Sequence, residues 1–439
     1  MGGTGPLTDR RKIQLIKRRK TFAVPFLLPS RQRQWQVLLP LGIGTILALA
    51  GDLTLYAVLP AYASTRAFDL ATVGLLLSAN RLVRLGSNPL IGLLISGARR
   101  RGFVLTGFGL GALSTLLYLL PGTGVFLAGR LLWGISWSLI YIGGYCMLLD
   151  ITNNSDRGQG SGILQGFYFI GLAFNPLLGG LLNDLLGFSS ALTICAALSA
   201  AGFLFAFLFL PETMLESGRT RLAFNDVLRG FASMTQRSLA AARELAHLRN
   251  FAANYLYLAT HFVGDGILLS TLSLYLRIQY GDTVGSGSLA IPIATAGGAL
   301  LALRAGISAA VAPLAGKQSD RARSRWLGIG WGVALGAGGM LLISGLDTPL
   351  ALLGGTGLVA SGGAVVMTIT PALVKEVNPK HESGTIIGLL ANSADLGMAL
   401  APLTAYALVE SLPLRTIYLL AGIMLAAGLP LAWAAARQK

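Results

Sequence analysis

Long apolar runs separated by short polar segments organise this chain from end to end. Six runs, at residues 36–62, 70–96, 103–120, 122–149, 158–182 and 189–210, are followed after a gap by six more, at 250–276, 288–315, 326–344, 349–373, 383–409 and 414–434. An α-helix needs about 20 residues to cross a bilayer. The pattern predicts an all-α membrane protein of twelve transmembrane helices in a six-plus-six plan.

The two sixes repeat one another. Gly316, Asp320, Arg321 and Arg325 mark a small charged hairpin between two runs, and Gly92 with Arg99, Arg100 and Arg101 marks its counterpart in the first half. A proline, Pro89 or Pro313, stands three residues before each. At one common offset, Gly51, Asp52, Leu55, Leu59 and Tyr62 recur as Gly264, Asp265, Leu268, Leu272 and Tyr275. At another, Gly158, Gly162, Gly171 and Pro176 recur as Gly384, Gly388, Gly397 and Pro402. Such self-similarity predicts a duplicated architecture of two pseudo-symmetric six-helix bundles. The expected division is a basic tail at 1–35, a first bundle at 36–210, a linker at 211–249 and a second bundle with a short tail at 250–439.

Composition sharpens this picture. Hydrophobic residues make up 54% of the 439 and charged residues 12%, about half the charged share of a soluble globule. The net charge of +16 falls in alternate loops rather than on one face, so nucleic acid is not an expected partner. Residues 99–101, 219–249 and 317–325 collect Lys and Arg, while the loops on the other side keep only Arg66, Arg277 and Arg415. The positive-inside rule then places both termini in the cytoplasm, in the plasma membrane or, in a diderm bacterium, the inner membrane.

The first run is too long for a signal-peptide core and reads as a retained span. The tail before it interleaves Ile13, Leu15, Ile16, Phe22 and Phe26 with basic residues, either to lie on anionic lipid or as a solvated topology signal. In the linker, Asn225 and Asp226 precede Val227, Leu228, Phe231 and Met234, which predicts a capped amphipathic helix.

Soluble-type catalysis has no support. Cys146 and Cys195 are unclustered, His247, His261 and His381 are isolated, and no phosphate-cradling Gly-Lys-Ser/Thr loop is present. Hence neither a metal site nor a cofactor is expected. An intramembrane enzyme is the remote alternative.

The chemistry lies in charges placed at mid-span, each of which costs about 2.5–3.5 kcal/mol on insertion scales and needs a partner or a water-filled cavity. Asp52, Asp265 and Asp395 lie near mid-depth on spans one, seven and eleven, Arg81, Arg84 and Arg304 on spans two and eight, and Arg130 nearer the outer face. They are read either as ion pairs joining helices, Asp52 with Arg81 or Arg84, or as a proton and substrate path. Tyr257, His261 and Asp265 share one helical face at four-residue steps, where His261 either relays a proton or bonds to a neighbouring helix. Asp395, with Asn392, is a further candidate. On span four, Trp137, Tyr141 and Tyr145 either stack on an aromatic or cationic substrate or pack against Gln165, Tyr168 and Phe169 of span five.

The Gly-x-x-x-Asp-Arg-x-x-x-Arg hairpin from Gly316 to Arg325 resembles the cytoplasmic loop motif of the major facilitator superfamily. Arg130 and Gly134 resemble that family's fourth-span Arg-x-x-x-Gly, and Gly171, Asn175, Pro176, Gly179 and Gly180 resemble its fifth-span motif of drug and proton antiporters. Pro211-Glu212-Thr213 stands where many members end their sixth span. Two departures are Ser96, where the family usually has Asp, and Asn175, which replaces the second Gly and predicts a less close helix contact.

The resemblance implies two bundles rocking about a central site, with span one on the cavity, which makes Asp52 the leading proton carrier. The implied function is proton-driven export of a small organic molecule or drug, by a monomer in a lipid bilayer. The runner-up is a uniporter or symporter for an organic anion held by Arg81, Arg84 and Arg304.

Overall fold

The computed structural model describes residues 30–61, 68–95, 98–153, 156–214, 247–285, 287, 290–321, 324–377 and 383–437. The basic tail up to residue 29, Arg66, Ser96, the amphipathic linker stretch and His381 lie outside them. Helices account for nearly all of the described chain, because a backbone in hydrocarbon must satisfy its own hydrogen bonds.

The first half comprises α1 (Ser30–Val58), α2 (Leu70–Ile95), α3 (Arg100–Leu117), α4 (Thr123–Ile151), α5 (Arg157–Leu186) and α6 (Phe188–Phe209). In the second, α7 has three parts, Leu248–Thr260, a π-helical stretch His261–Leu268, and Leu269–Tyr280. After it come a two-residue ribbon, β1 (Thr283–Val284) antiparallel to β2 (Ile291–Pro292), then α8 (Ile293–Arg321), α9 (Arg325–Gly345), α10 (Pro349–Val377) and α11 (Ser383–Leu408). The last span, α12, is Leu414–Ala426 and Gly428–Arg437. It breaks just before Pro430, whose ring clashes with the carbonyl one turn earlier.

Equivalent helices pair equivalently. α3 packs on α4 and α9 on α10, α1 on α5 and α7 on α11. Between the halves, α5 meets α8 and α2 meets α11.

The halves approach most closely towards the end away from the basic hairpins. A Cβ on Gly298 would overlap the Pro176 carbonyl, and one on Gly74 would lie 2.9 Å from the Pro402 carbonyl. Across the same seam, a Cβ on Gly180 would overlap the Ala294 carbonyl. Glycine at these positions lets backbones approach as larger residues cannot. Asp184 completes the seal by accepting from both the amide and the hydroxyl of Thr295, each at 2.7 Å.

Towards the basic hairpins the helices separate. Buried residues recur along α5 from Gly171 to Asn183, but none is buried over 161–170. The same loss occurs over 81–90 in α2 and 306–314 in α8. Three helices thus lose burial at one level, on the basic side of the glycine contacts.

That end is held by charge. Glu212 accepts from the backbone N–H groups of Arg100 (3.0 Å) and Arg101 (3.3 Å), two otherwise orphaned donors at the α3 N-terminus. Asp150, on α4, takes Arg100 Nε at 3.3 Å and the Thr213 hydroxyl at 2.9 Å. In the second half Arg325 reaches Ser319 (2.8 Å), Asp320 (3.2 Å) and Glu376 (3.2 Å). Asp150 and Glu376 hold equivalent places on α4 and α10.

The fifth-span motif packs closely, contrary to the looser contact expected from Asn175. Gly179 abuts Thr54, Gly171 abuts Leu49, and Asn175 Nδ2 donates to the Ile46 carbonyl at 2.9 Å. The amide joins α1 to α5 by a hydrogen bond where a glycine would offer only proximity.

Candidate functional site

Each mid-span aspartate meets an arginine, and the three pairs occupy different places. Asp52 pairs with Arg130, not with Arg81 or Arg84, because its face of α1 turns into the first half rather than towards α11. Arg130 is wholly buried and also donates to the Leu76 carbonyl at 2.7 Å, while Asn80 donates to Asp52 at 3.3 Å. The Tyr56 ring lies 5.8 Å from the guanidinium. This cluster ties α1, α2 and α4 together inside one half.

The second pair crosses between halves. Asp395 of α11 takes Arg84 at 2.9 Å and the Asn88 amide at 3.1 Å, both from α2, rather than Asn392 of its own helix. One turn away, Arg81 points at the Met398 sulfur, 3.1 Å from Nη1. Among the described residues no carboxylate lies within ion-pair distance of Arg81.

The third pair lines the second half. Arg304 of α8 bonds to Asp265, which sits in the π-helical stretch of α7. His261 Nδ1 lies 2.8 Å from the Tyr257 carbonyl. A carbonyl only accepts, so Nδ1 carries hydrogen and the lone pair of neutral His261 is on Nε2. That nitrogen faces Asp265 Oδ2 at 3.9 Å. Protonating it would give Asp265 a second cation and weaken its hold on Arg304.

Along α4 the aromatic rings form a row: Trp137 lies 5.8 Å from Tyr141, and Tyr141 lies 4.9 Å from Tyr145. Tyr168 of α5 packs against Trp137 at 5.4 Å, and Gln165 donates to the Tyr145 hydroxyl at 2.8 Å. Packing on α5 therefore occurs, yet Tyr141 keeps 42% of its surface exposed. Four arginines stand against three aspartates in this central layer, which leaves one positive charge at neutral His261.

The remaining motif residues lie towards the basic hairpins. Gly92 faces open space and Gly316 nears Thr368, while Arg321 closes α8 beside the Asp320–Arg325 pair. A separate cleft of about 810 Å³ at the opposite end, between the turns at Gly122 and Gly187, has one carboxylate, Asp184, already tied to Thr295.

Sequence reasoning missed Asn80 and Asn88, although Asn80, Arg84 and Asn88 mark a polar stripe at four-residue steps on span two. It also missed the Asp184–Thr295 lock, for which residues 111 apart leave no local signal.

Comparison with known proteins agrees with this geometry. An uncharacterized MFS-type transporter of Methanocaldococcus jannaschii is 22% identical over 377 residues, 86% of this chain and 92% of that protein. The synaptic vesicular amine transporter of Bos taurus is 34% identical over 131 residues, 29% of this chain and 25% of its own length. Among solved structures, the human organic anion transporter MFSD10 (TETRAN) covers 92% of this chain and 100% of its own, with a TM-score of 0.64 and 21% identity. A bacterial homolog of the human lysosomal transporter Spinster, inward-facing and occupied, covers 92% and 96%, with a TM-score of 0.70 and 14% identity. The family model of the Major Facilitator Superfamily matches residues 41–309 and 294–439, and this multi-pass secondary transporter belongs to that family.

Proposed function

We propose that the protein moves a small organic anion through the central cavity, with protons as the coupling ion. Arg81 carries this reading. Asp52, Asp265 and Asp395 each already hold an arginine, whereas Arg81, with no carboxylate at ion-pair distance among the described residues, meets a thioether and presents a planar fork suited to a carboxylate. A cation or drug cation would have to break an ion pair to find a carboxylate.

Proton coupling is assigned to His261, Asp265 and Arg304 rather than to Asp52. Asp52 is enclosed by Arg130 and Asn80, and its side chain is 6% exposed against 19% for Asp265, which gives a solvent proton readier access to the Asp265 pair. Protonation of His261 weakens Asp265–Arg304 and raises the positive potential of the cavity, so proton and anion favour each other's binding. This is the logic of symport.

In the cell, the basic end would face the cytoplasm, and the arrangement described above would be the inward-open state. The reciprocal state requires the Gly74, Gly180 and Gly298 contacts to part.

Proton-driven export of a drug or amine is the second reading. The fifth-span motif and the 131-residue likeness to an amine transporter favour it. Reconstituted vesicles separate the two. In the first reading, an organic carboxylate added outside alkalinises the external medium as protons enter with it, and Arg81→Gln abolishes the signal. Proton movement with amines but not with carboxylates would overturn the anion reading.

A further inference from the structure

We infer that the anion carries an aromatic ring close to its carboxylate, an inference that rests on the anion reading above. The observation is the adjacency of two features from different helices. Trp137, Tyr141, Tyr145 and Tyr168 line a narrow apolar recess of about 20 Å³ between α1, α4 and α5, too tight for a ring, so a bound ring would rest on the open Tyr141 face. Arg84 of α2 stands over its rim, with the guanidinium carbon 6.0 Å from the Trp137 ring centroid. Tyr168 lies within electrostatic reach of both Arg81 and Arg84.

A row of rings by itself would equally suit an ammonium. Here it does not, because a cation stacked on this row would sit beside the Arg84–Asp395 pair in a layer that already carries one unmatched positive charge, and like charges repel most strongly where water is scarce. A neutral ring stacks there without this cost, and its attached carboxylate meets the arginines. Arg81 and Arg84 are one helical turn apart, about 5–6 Å. A carboxylate on Arg81 and a ring against Tyr141 therefore belong to one small molecule, an aryl acid. Tyr141 offers the open face, since Trp137 is largely covered and Tyr141 is 42% exposed.

Three probes of nearly one shape test this by calorimetry on the purified protein: phenylacetate, cyclohexylacetate and phenylacetamide. Cyclohexylacetate buries as much apolar surface as phenylacetate but cannot stack, so hydrophobic burial alone gives it no disadvantage. The expected result is phenylacetate bound roughly three- to tenfold more tightly than cyclohexylacetate, the range of aromatic pairing beyond area, with no binding of the amide. Tyr141→Leu should bring that ratio towards one, whereas Tyr141→Phe should keep it.

Equal or reversed affinities in the unaltered protein would overturn the inference whatever the variants do. If both acids bind equally and Arg81→Gln abolishes both, the anion reading stands and the aromatic one falls. If neither acid binds, both fall.

Discussion

Replacing Asp52 by Asn separates a structural ion pair from a coupling group, because the two roles predict different losses. The substitution keeps the side-chain shape and leaves Arg130 without its carboxylate. Arg130 is wholly buried and keeps the Leu76 carbonyl at 2.7 Å, the Tyr56 ring at 5.8 Å and the nearby Tyr118, none of them a carboxylate. Breaking a buried pair from one side costs about 3–5 kcal/mol. For a cooperative unit the size of one half, at about 2–4 °C per kcal/mol, melting should fall by about 6–20 °C.

The assay is thermal unfolding in detergent, followed by size-exclusion, with transport measured in parallel. Asp52→Asn combined with Arg130→Met should recover much of the loss, since removing both partners no longer strands a charge. The double-mutant cycle then reports the coupling of the pair. Melting of Asp52→Asn at the unaltered temperature, together with loss of gradient-driven transport alone, would refute the structural assignment and make Asp52 the proton carrier.

Other consequences follow from the same geometry. His261→Gln should flatten the pH dependence of transport while leaving the fold intact; a preserved pH profile would remove His261 from the coupling. Gly180→Val places a side chain against the Ala294 carbonyl, so the seam at that end cannot close, and a cysteine introduced at position 295 should become more reactive from outside. Asp320→Asn should slow transport with less than about 1 kcal/mol of stability change, because its bond to Arg325 is largely exposed; full activity would exclude a latch. A cysteine at position 100 should be labelled only from the cytoplasm, and labelling from outside intact cells would invert the proposed orientation.

Much of the fold was legible before any coordinates. Twelve apolar runs state where the chain crosses hydrocarbon, since lipid enforces helix wherever the run is long enough. The offset between Asp52 and Asp265, or between Pro176 and Pro402, shows the duplication without any contact being known. Mid-span arginines and aspartates are conspicuous because the bilayer makes each expensive. Which charge meets which was not legible. Asp52 and Arg130 are 78 residues apart and Arg84 and Asp395 311 apart. Their meeting depends on how each helix is rotated, and one residue of rotation turns a side chain by about 100°.

The π-helical stretch that carries Asp265 also lacked a sequence signal beyond the flanking Gly264 and Gly266, as one widened turn leaves the apolar pattern intact. Composition and period alone determined the membrane class, the repeat and the set of costly charges, because those follow from the solvent around each helix. Tertiary structure alone decided that three aspartates hold arginines and that Arg81, among the described residues, meets Met398 rather than a carboxylate. It also decided which glycines bring the two halves into backbone contact, because that depends on faces that only packing brings together.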